Sequence, residues 1–333
     1  MSGGPGRLPA LGVVLGMWQD RPPDESLTTA ELADRLGFGE LWIGEMATFD
    51  AFALATAIGA RTRRIPLTVG PLAVAVRTPV TMAMGVATVA EVTGRTVGLA
   101  LGTSSTLVVE GWHGRSRSRS ARRLDETAQV VRALLAGERT DFAGETVRSH
   151  GFRLRLRPPA TELTVAAFGP AAVRVAARRA DRMVLTTVTP ELVARYRTML
   201  DDAAREANRR PPRLAVWLCA AVDPTPETRE QLLRLKVGYL AAPGYRDVYR
   251  AAGYRDAVDL ALTKPHPRDL LAALPTDMVD TFDLVGDAAT LTRRLAAYRQ
   301  AGADEVGLIP ATAGDPGGRR TLEALAPAGP GRP

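Results

Sequence analysis

Cysteine is almost absent: Cys219 stands alone in 333 residues, so no intrachain disulfide can form, and its place in the apolar run 214–222 marks it as a core thiol. Histidine numbers three, and no His/Asp/Cys cluster accompanies His113, His150 or His266. Metal hydrolysis and triad chemistry therefore lack their ligands or their paired nucleophile and base, and no metal is expected. His150 and His266 are read as bystanders. No stretch of about 18 apolar residues occurs, and no charged segment followed by a long apolar one opens the chain. A membrane partner is not expected, and the expected location is cytoplasmic.

Lysine is nearly missing as well. Only two of the 43 cationic side chains, Lys236 and Lys264, are lysines, and the 43 exceed 36 acidic ones to give a net charge of +7. A pI of 10.1 raises nucleic acid as a partner. The arginines are scattered over many segments, however, and no recognition motif accompanies them, so no nucleic-acid partner is expected.

What is present is a full core: 46% of residues are hydrophobic and 24% charged, the balance of a globular protein. Short apolar runs alternate with amphipathic stretches along the whole chain, the signature of parallel βαβ units. Eight principal strands begin at Leu11, Glu40, Leu67, Arg95, Leu163, Arg182, Arg213 and Glu305. Eight strands close a (β/α)8 TIM barrel. An open doubly wound sheet is disfavoured because no Gly-x-Gly-x-x-Gly follows an early strand. Two insertions interrupt the rhythm, a hairpin near 142–156 and a helical excursion near 227–274 carrying Tyr239, Tyr245, Tyr249 and Tyr254. A single barrel domain is expected over 1–312, followed by a Gly/Pro-rich tail over 313–333.

A barrel builds its site from the loops after the strands. The residues there include Trp18, Glu45, Gly70, Pro71, Thr103, Ser104, Ser105, Gly169 and Thr187, a set poor in catalytic groups that suits a reaction whose hard step belongs to a bound cofactor. In Phe168-Gly169-Pro170-Ala171 a strand ends at glycine and a helix opens with proline, which leaves backbone N–H groups free for a phosphate. Thr187 could add a hydroxyl to the same group. Gly70-Pro71 lies inside an otherwise strand-like run; proline removes a ladder donor, and since a barrel has no edge a bulge is expected. Glu45 and His113 are the candidate proton donors, the first as a strand-end carboxylate and the second as an imidazole in the loop after the fourth strand. Trp18, Ser105 and Trp112 are candidate substrate-pocket residues.

Across roughly Leu11 to Pro310 the sequence resembles the luciferase-like monooxygenase superfamily, in its branch that uses the deazaflavin coenzyme F420. The carriers are Glu40-Leu41-Trp42-Ile43-Gly44-Glu45, Arg77-Thr78-Pro79, Gly102-Thr103-Ser104-Ser105, Val109-Glu110-Gly111-Trp112-His113-Gly114, Arg123-Leu124-Asp125-Glu126-Thr127, Leu135-Ala136-Gly137-Glu138, Gly286-Asp287 and Ala301-Gly302-Ala303-Asp304-Glu305-Val306. The resemblance implies a cofactor across the barrel mouth, its ring on the bulge at Gly70-Pro71. Thr103 and Ser104 match cofactor contacts; Gly169, Pro170 and Thr187 match the phosphate turn. It also implies a homodimer. Where the deazaflavin-dependent sugar-phosphate and alcohol dehydrogenases carry an Asp-His pair and a glutamate, this chain has Glu45-Met46 and Ser105.

The expected function is therefore an F420-dependent oxidoreductase that passes hydride from the reduced deazaflavin to an electron-poor C=C, C=N or C=O bond of a small molecule or modified peptide. Two alternatives stand beside it: an FMN-dependent monooxygenase using oxygen, and a cofactor-binding barrel without turnover. The arginine-rich stretch 115–123 reads either as a solvated loop or as a partner for the polyglutamate tail of the deazaflavin.

Overall fold

The computed structural model describes residues 8–327 apart from residue 23. The elements run β1 (Ala10–Leu15), α1 (Glu25–Leu36), β2 (Leu41–Ile43), α2 (Ala51–Arg61), β3 (Leu67–Ala73), α3 (Pro79–Thr93), β4 (Val97–Gly102), a π-helical turn (Leu107–Trp112), α4 (Ser120–Leu135), β5 (Arg139–Ala143), β6 (Arg148–Arg153), β7 (Leu163–Ala166), α5 (Pro170–Arg179), β8 (Arg182–Thr186), α6 (Pro190–Glu206) and β9 (Arg213–Val222). Then come α7 (Pro226–Val237), α8 (Tyr245–Ala251), α9 (Arg255–Leu262), α10 (Pro267–Ala273), α11 (Met278–Phe282), β10 (Leu284–Gly286), α12 (Ala288–Gln300), β11 (Glu305–Pro310) and α13 (Arg319–Ala324).

Eight parallel strands, β1, β2, β3, β4, β7, β8, β9 and β11, close a (β/α)8 barrel, the last seam formed by β8 on β9. All eight expected strands are the barrel strands. They read as unbroken apolar runs because both faces are covered, outside by helices and inside by each other; every residue of β4 is buried. β9 is longer than its neighbours and bonds β10 through its last residues. The expected bulge is present: the register between β3 and β4 shifts between Val69 and Leu72. Only glycine fits at its apex, since Gly70 has φ +112° and a Cβ there would sit 2.3 Å from the carbonyl oxygen of Ala100.

The hairpin is β5 with β6, set slightly earlier than expected. Its turn is pinned by Glu126 of α4, whose carboxylate accepts the amides of Glu145, Thr146 and Val147 and the Thr146 hydroxyl. The helical excursion extends to Phe282 as five short helices. From residue 313 the chain was expected as a tail; instead α13 packs on α1 and β9, with Leu322 and Leu325 buried. The physical reason is the burial of Leu322 and Leu325 together with the Thr321 hydroxyl, which accepts the Val222 amide of β9 at 3.1 Å. Within the supposed loop after β4, Leu107–Trp112 form the π-helical turn.

One arginine organises the barrel floor. Arg182, first residue of β8 and 3% exposed along its side chain, is paired with Glu40 at 2.8 Å, Glu305 at 2.6 Å and Glu162 at 2.9 Å. Its Nε hydrogen points to the Thr164 hydroxyl at 3.1 Å, and Nη2 donates to the Thr68 hydroxyl at 3.3 Å. The guanidinium lies 4.0 Å above the ring of Trp42, which meets Trp217 edge-on at 5.2 Å. Arg213 adds a second cation to Glu162 and Glu305.

Two predictions follow from these contacts. Arg182→Met removes the buried cation from between Glu40, Glu162 and Glu305 and leaves Arg213 alone to serve the last two, so it should cost about 3–5 kcal/mol in denaturant unfolding. Burial alone would raise the Glu126 carboxyl, but the hydrogen bonds from Glu145, Thr146 and Val147 outweigh burial and hold it at about 2, below the usual 4.5. A depressed carboxyl stabilises the fold above its unfolded value and loses that contribution as pH falls. The melting-temperature gap between the protein and Glu126→Gln should thus be full near neutral pH and shrink as pH drops through about 4 toward 2.

Candidate active site

The loops at the C-terminal ends of the strands form the mouth. On one side stands the N-terminus of α5. Its cap residue, Gly169, has no side chain and α5 carries no acid in its first turn, so the amides of Ala171 and Ala172 have no side-chain acceptor. Residues 169–171 are exposed, and a Cβ placed on Gly169 would meet nothing within 4 Å. An open, uncapped helix start of this kind fits a phosphate. Phe168, just before it, packs on Tyr196 and at 4.7 Å on Tyr245, while the Tyr196 hydroxyl donates to the Phe168 carbonyl at 2.9 Å. Thr187, after β8, takes a left-handed conformation with φ 55°.

Pro71 of the bulge packs beside Gly102, where a Cβ would be 3.2 Å from the proline ring. The next residues, Thr103 and Ser104, are held from above by Arg117, whose Nε donates to the Ser104 carbonyl at 2.8 Å and whose Nη2 reaches the Thr103 hydroxyl at 3.4 Å. Ser105 Oγ accepts the Val108 amide and starts the π-helical turn. That turn carries Trp112, which is 49% exposed, and ends at His113, also exposed. Trp18 donates its indole N–H to the Pro310 carbonyl at 2.7 Å.

Glu45 is a paired group. Arg77 grips its carboxylate with Nε at 2.9 Å and with Nη2, the Ala51 amide donates to it at 3.2 Å, and the same guanidinium reaches Asp50, the N-cap of α2. Burial would raise the Asp50 carboxyl, yet the Ala53 amide and Arg77 hold it below its usual range. The network ties the β2 loop to the starts of α2 and α3. A carboxylate so engaged acts as an anchor.

Several groups at the mouth escaped sequence reasoning. Arg77 and Arg117 were lost among 41 arginines. Lys236 of α7 and Asp283 pair at 2.5 Å with both side chains nearly inaccessible. A charge flanked by apolar neighbours, as in Leu235-Lys236-Val237 and Phe282-Asp283-Leu284, was the available signal. Burial raises the Asp283 carboxyl against the pull of Lys236, and pushes the Tyr239 phenol to about 12. Within 115–123, Arg119 and Arg122 are paired with Glu145, and Arg122 also with Glu126.

A parallel barrel whose mouth combines a bulged third strand, an uncapped phosphate-ready helix and an aromatic wall defines a cofactor-binding α/β-barrel enzyme. The sequence profile of the luciferase-like monooxygenases matches residues 10–305, and the chain belongs to that family. It is 27% identical over 95% of its length to a Mycobacterium tuberculosis protein assigned by name to the coenzyme F420-dependent oxidoreductases, 98% of which is covered. Among solved structures, the coenzyme F420-dependent tetrahydromethanopterin reductase of Methanopyrus kandleri superposes with a TM-score of 0.82 at 17% identity, covering 96% of this chain and 98% of that one. An F420-dependent secondary alcohol dehydrogenase bound to an F420-acetone adduct gives 0.79 at 18% identity, covering 96% and 99%. At these identities the two structures establish the fold.

Anchoring makes Glu45 and Arg77 energetically coupled. Arg77→Ala and Glu45→Gln should each lower stability by about 1–3 kcal/mol, and the double variant should lose less than the sum. Additive losses in urea unfolding would separate the two residues.

Proposed function

We propose that this protein is an F420-dependent oxidoreductase that moves hydride from the reduced deazaflavin to an electron-poor C=C, C=N or C=O bond of a small molecule or modified peptide. The carrying observation is the uncapped start of α5 at Gly169 after β7, with Thr187 after the adjacent β8, on the same side of the barrel as the bulge at Gly70-Pro71 in β3, which β4 separates from β7. A phosphate-bearing tricyclic cofactor needs both an anion cradle and a flat support, and the mouth offers the two together. The F420 dependence named for full-length relatives agrees with it.

When bound, the cofactor supplies a two-electron hydride equivalent. The chain's own residues have the remaining tasks. Gly169, Pro170 and Ala171, with Thr187, would hold the phosphate; Phe168 would buttress that turn against Tyr245. Thr103 and Ser104, fixed by Arg117, would border the ring, and Gly70-Pro71 would lie beneath it. Trp18, Ser105 and Trp112 would border the acceptor.

Reduction is favoured over alcohol oxidation by the chemistry of the mouth. Removing a proton from an alcohol calls for a free base, whereas Glu45 is committed to Arg77 and Ser105 stands where the dehydrogenases of the resembled branch carry a glutamate. His113, exposed at the end of the π-helical turn, has the freer access to solvent protons of the two candidate donors.

The test is a fluorescence titration of the purified protein with F420 and, in parallel, FMN. F420 should bind at least tenfold more tightly than FMN. Gly169→Asp supplies α5 with its own carboxylate cap, so it should hold or raise the melting temperature while weakening F420 at least tenfold. Preference for FMN would transfer the protein to the oxygen-using reading, and equal F420 binding by Gly169→Asp would remove α5 from the site.

A further inference from the structure

The arginine-rich stretch 115–123 divides in the structure into paired and unpaired cations. Arg119 and Arg122 are paired with Glu145, and Arg115 is exposed. Arg117 reaches back to the end of β4, where its Nε donates to the Ser104 carbonyl at 2.8 Å and its Nη2 to the Thr103 hydroxyl at 3.4 Å. Its own backbone amide donates to Glu110 of the π-helical turn at 3.1 Å, so the side chain springs from a fixed point. Ser104 has φ 55°, a left-handed conformation that a residue with a Cβ keeps when its surroundings fix it.

That grip leaves Nη1 and the second hydrogen of Nη2 without a partner, and among the described residues no carboxylate is paired with Arg117. Other cations about the mouth are neutralised: Arg77 by Glu45 and Asp50, Arg21 by Glu25, and Lys236 by Asp283. A half-buried cation that keeps free N–H groups beside Thr103 and Ser104 attracts negative charge to that edge of the mouth. The phosphate has a cradle of its own at the start of α5, after the neighbouring strand β7. The charge left for Arg117 to meet is that of the ring.

The two candidate ring systems differ in this respect. The hydroxyl of an 8-hydroxy-5-deazaflavin is a vinylogous acid, conjugated through the tricycle to the pyrimidine carbonyls, so it ionises near neutral pH and spreads its charge over the ring. The oxidised ring of FMN lacks that hydroxyl and is neutral. We propose that Arg117 recognises the negative charge of the deazaflavin ring and is thereby the residue that sets a preference for F420 over FMN. The assignment rests on the F420 reading above, which places the ring against Thr103 and Ser104. Through Nε, Arg117 also positions the Ser104 turn; its remaining N–H groups serve the ring.

The experiment compares two ligands that share a ribityl phosphate and differ in the ring: FMN, and the deazaflavin phosphate that remains when the lactyl-glutamyl tail is cleaved from F420. In fluorescence titrations the wild-type protein should bind the deazaflavin phosphate at least about tenfold more tightly, the size of one charge-assisted hydrogen bond. The preference should narrow from low to high salt, a readout that needs no variant. Arg117→Gln should weaken the deazaflavin phosphate and leave FMN unchanged, while Arg117→Lys, which keeps the charge without the fork, should retain more of the preference. Ser104→Gly relieves the turn of its need for support, so adding it to Arg117→Gln should not restore binding; restoration would reduce Arg117 to a local structural role. Equal weakening of both ligands would give the guanidinium to the phosphate, and a full preference in Arg117→Gln, or none in the wild type, would also overturn the proposal. F420 bound alike by wild type and Arg117→Gln counts against Arg117 alone, whereas a wild-type protein that binds neither F420 nor its phosphate fragment removes the F420 reading and this proposal with it.

Discussion

The Arg182 guanidinium is the constraint around which the barrel closes. A barrel interior must be filled, and eight strand ends bring polar backbone and side chains to its floor. Here one planar cation, supplied by β8, meets carboxylates that stand before β2, before β7 and at the start of β11, and hydroxyls from β3 and β7. Five strands thus share one side chain. Lysine could not replace it, because a point charge lacks the fork that serves several acceptors at once and the flat face that lies on Trp42. Burial pushes the Glu162 carboxyl up against the two arginines that would lower it, a sign that the floor is held by balance among its members and not by any one pair.

Above the floor the core turns apolar. The Trp42 and Trp217 rings fill the middle of the barrel, and Gly307 makes room for them: a Cβ there would lie 2.7 Å from the Trp217 ring. The mouth then reverses the pattern of the floor. Its open donors include the amides at the start of α5. A closed ionic floor and an open, donor-rich mouth are what a fold needs if stability and ligand binding are to reside at opposite ends of the same strands.

Most charge at the mouth is nevertheless not free. Glu45, the most prominent carboxylate there by sequence, is bound by Arg77 and joins two helix starts. Lys236 and Asp283 neutralise each other out of water, a pairing that burial makes obligatory because either charge alone would be costly. The helical excursion thereby does more than cover the barrel. It carries the buried pair Lys236–Asp283 and the phenols Tyr239, Tyr245 and Tyr249.

The eight strands, their order and the bulge at Gly70-Pro71 were legible in the sequence, because strands buried on both faces must be continuous apolar runs and a proline within one must interrupt the ladder. The helix start at Gly169-Pro170 was legible for a similar local reason, since conformational preference of two residues marks it. Whether a charged residue is free or paired is a different kind of fact. Arg77 lies 32 positions from Glu45, Lys236 lies 47 from Asp283, and Arg182 lies 142 from Glu40; no local pattern links such partners. The packing of α13 likewise depends on which surfaces meet. The amino-acid sequence by itself determined the barrel and the open helix start, because local periodicity and backbone preference specify them; only the tertiary structure decided which charges were neutralised and which donors were left without acceptors, because pairing and desolvation arise when distant segments are brought together.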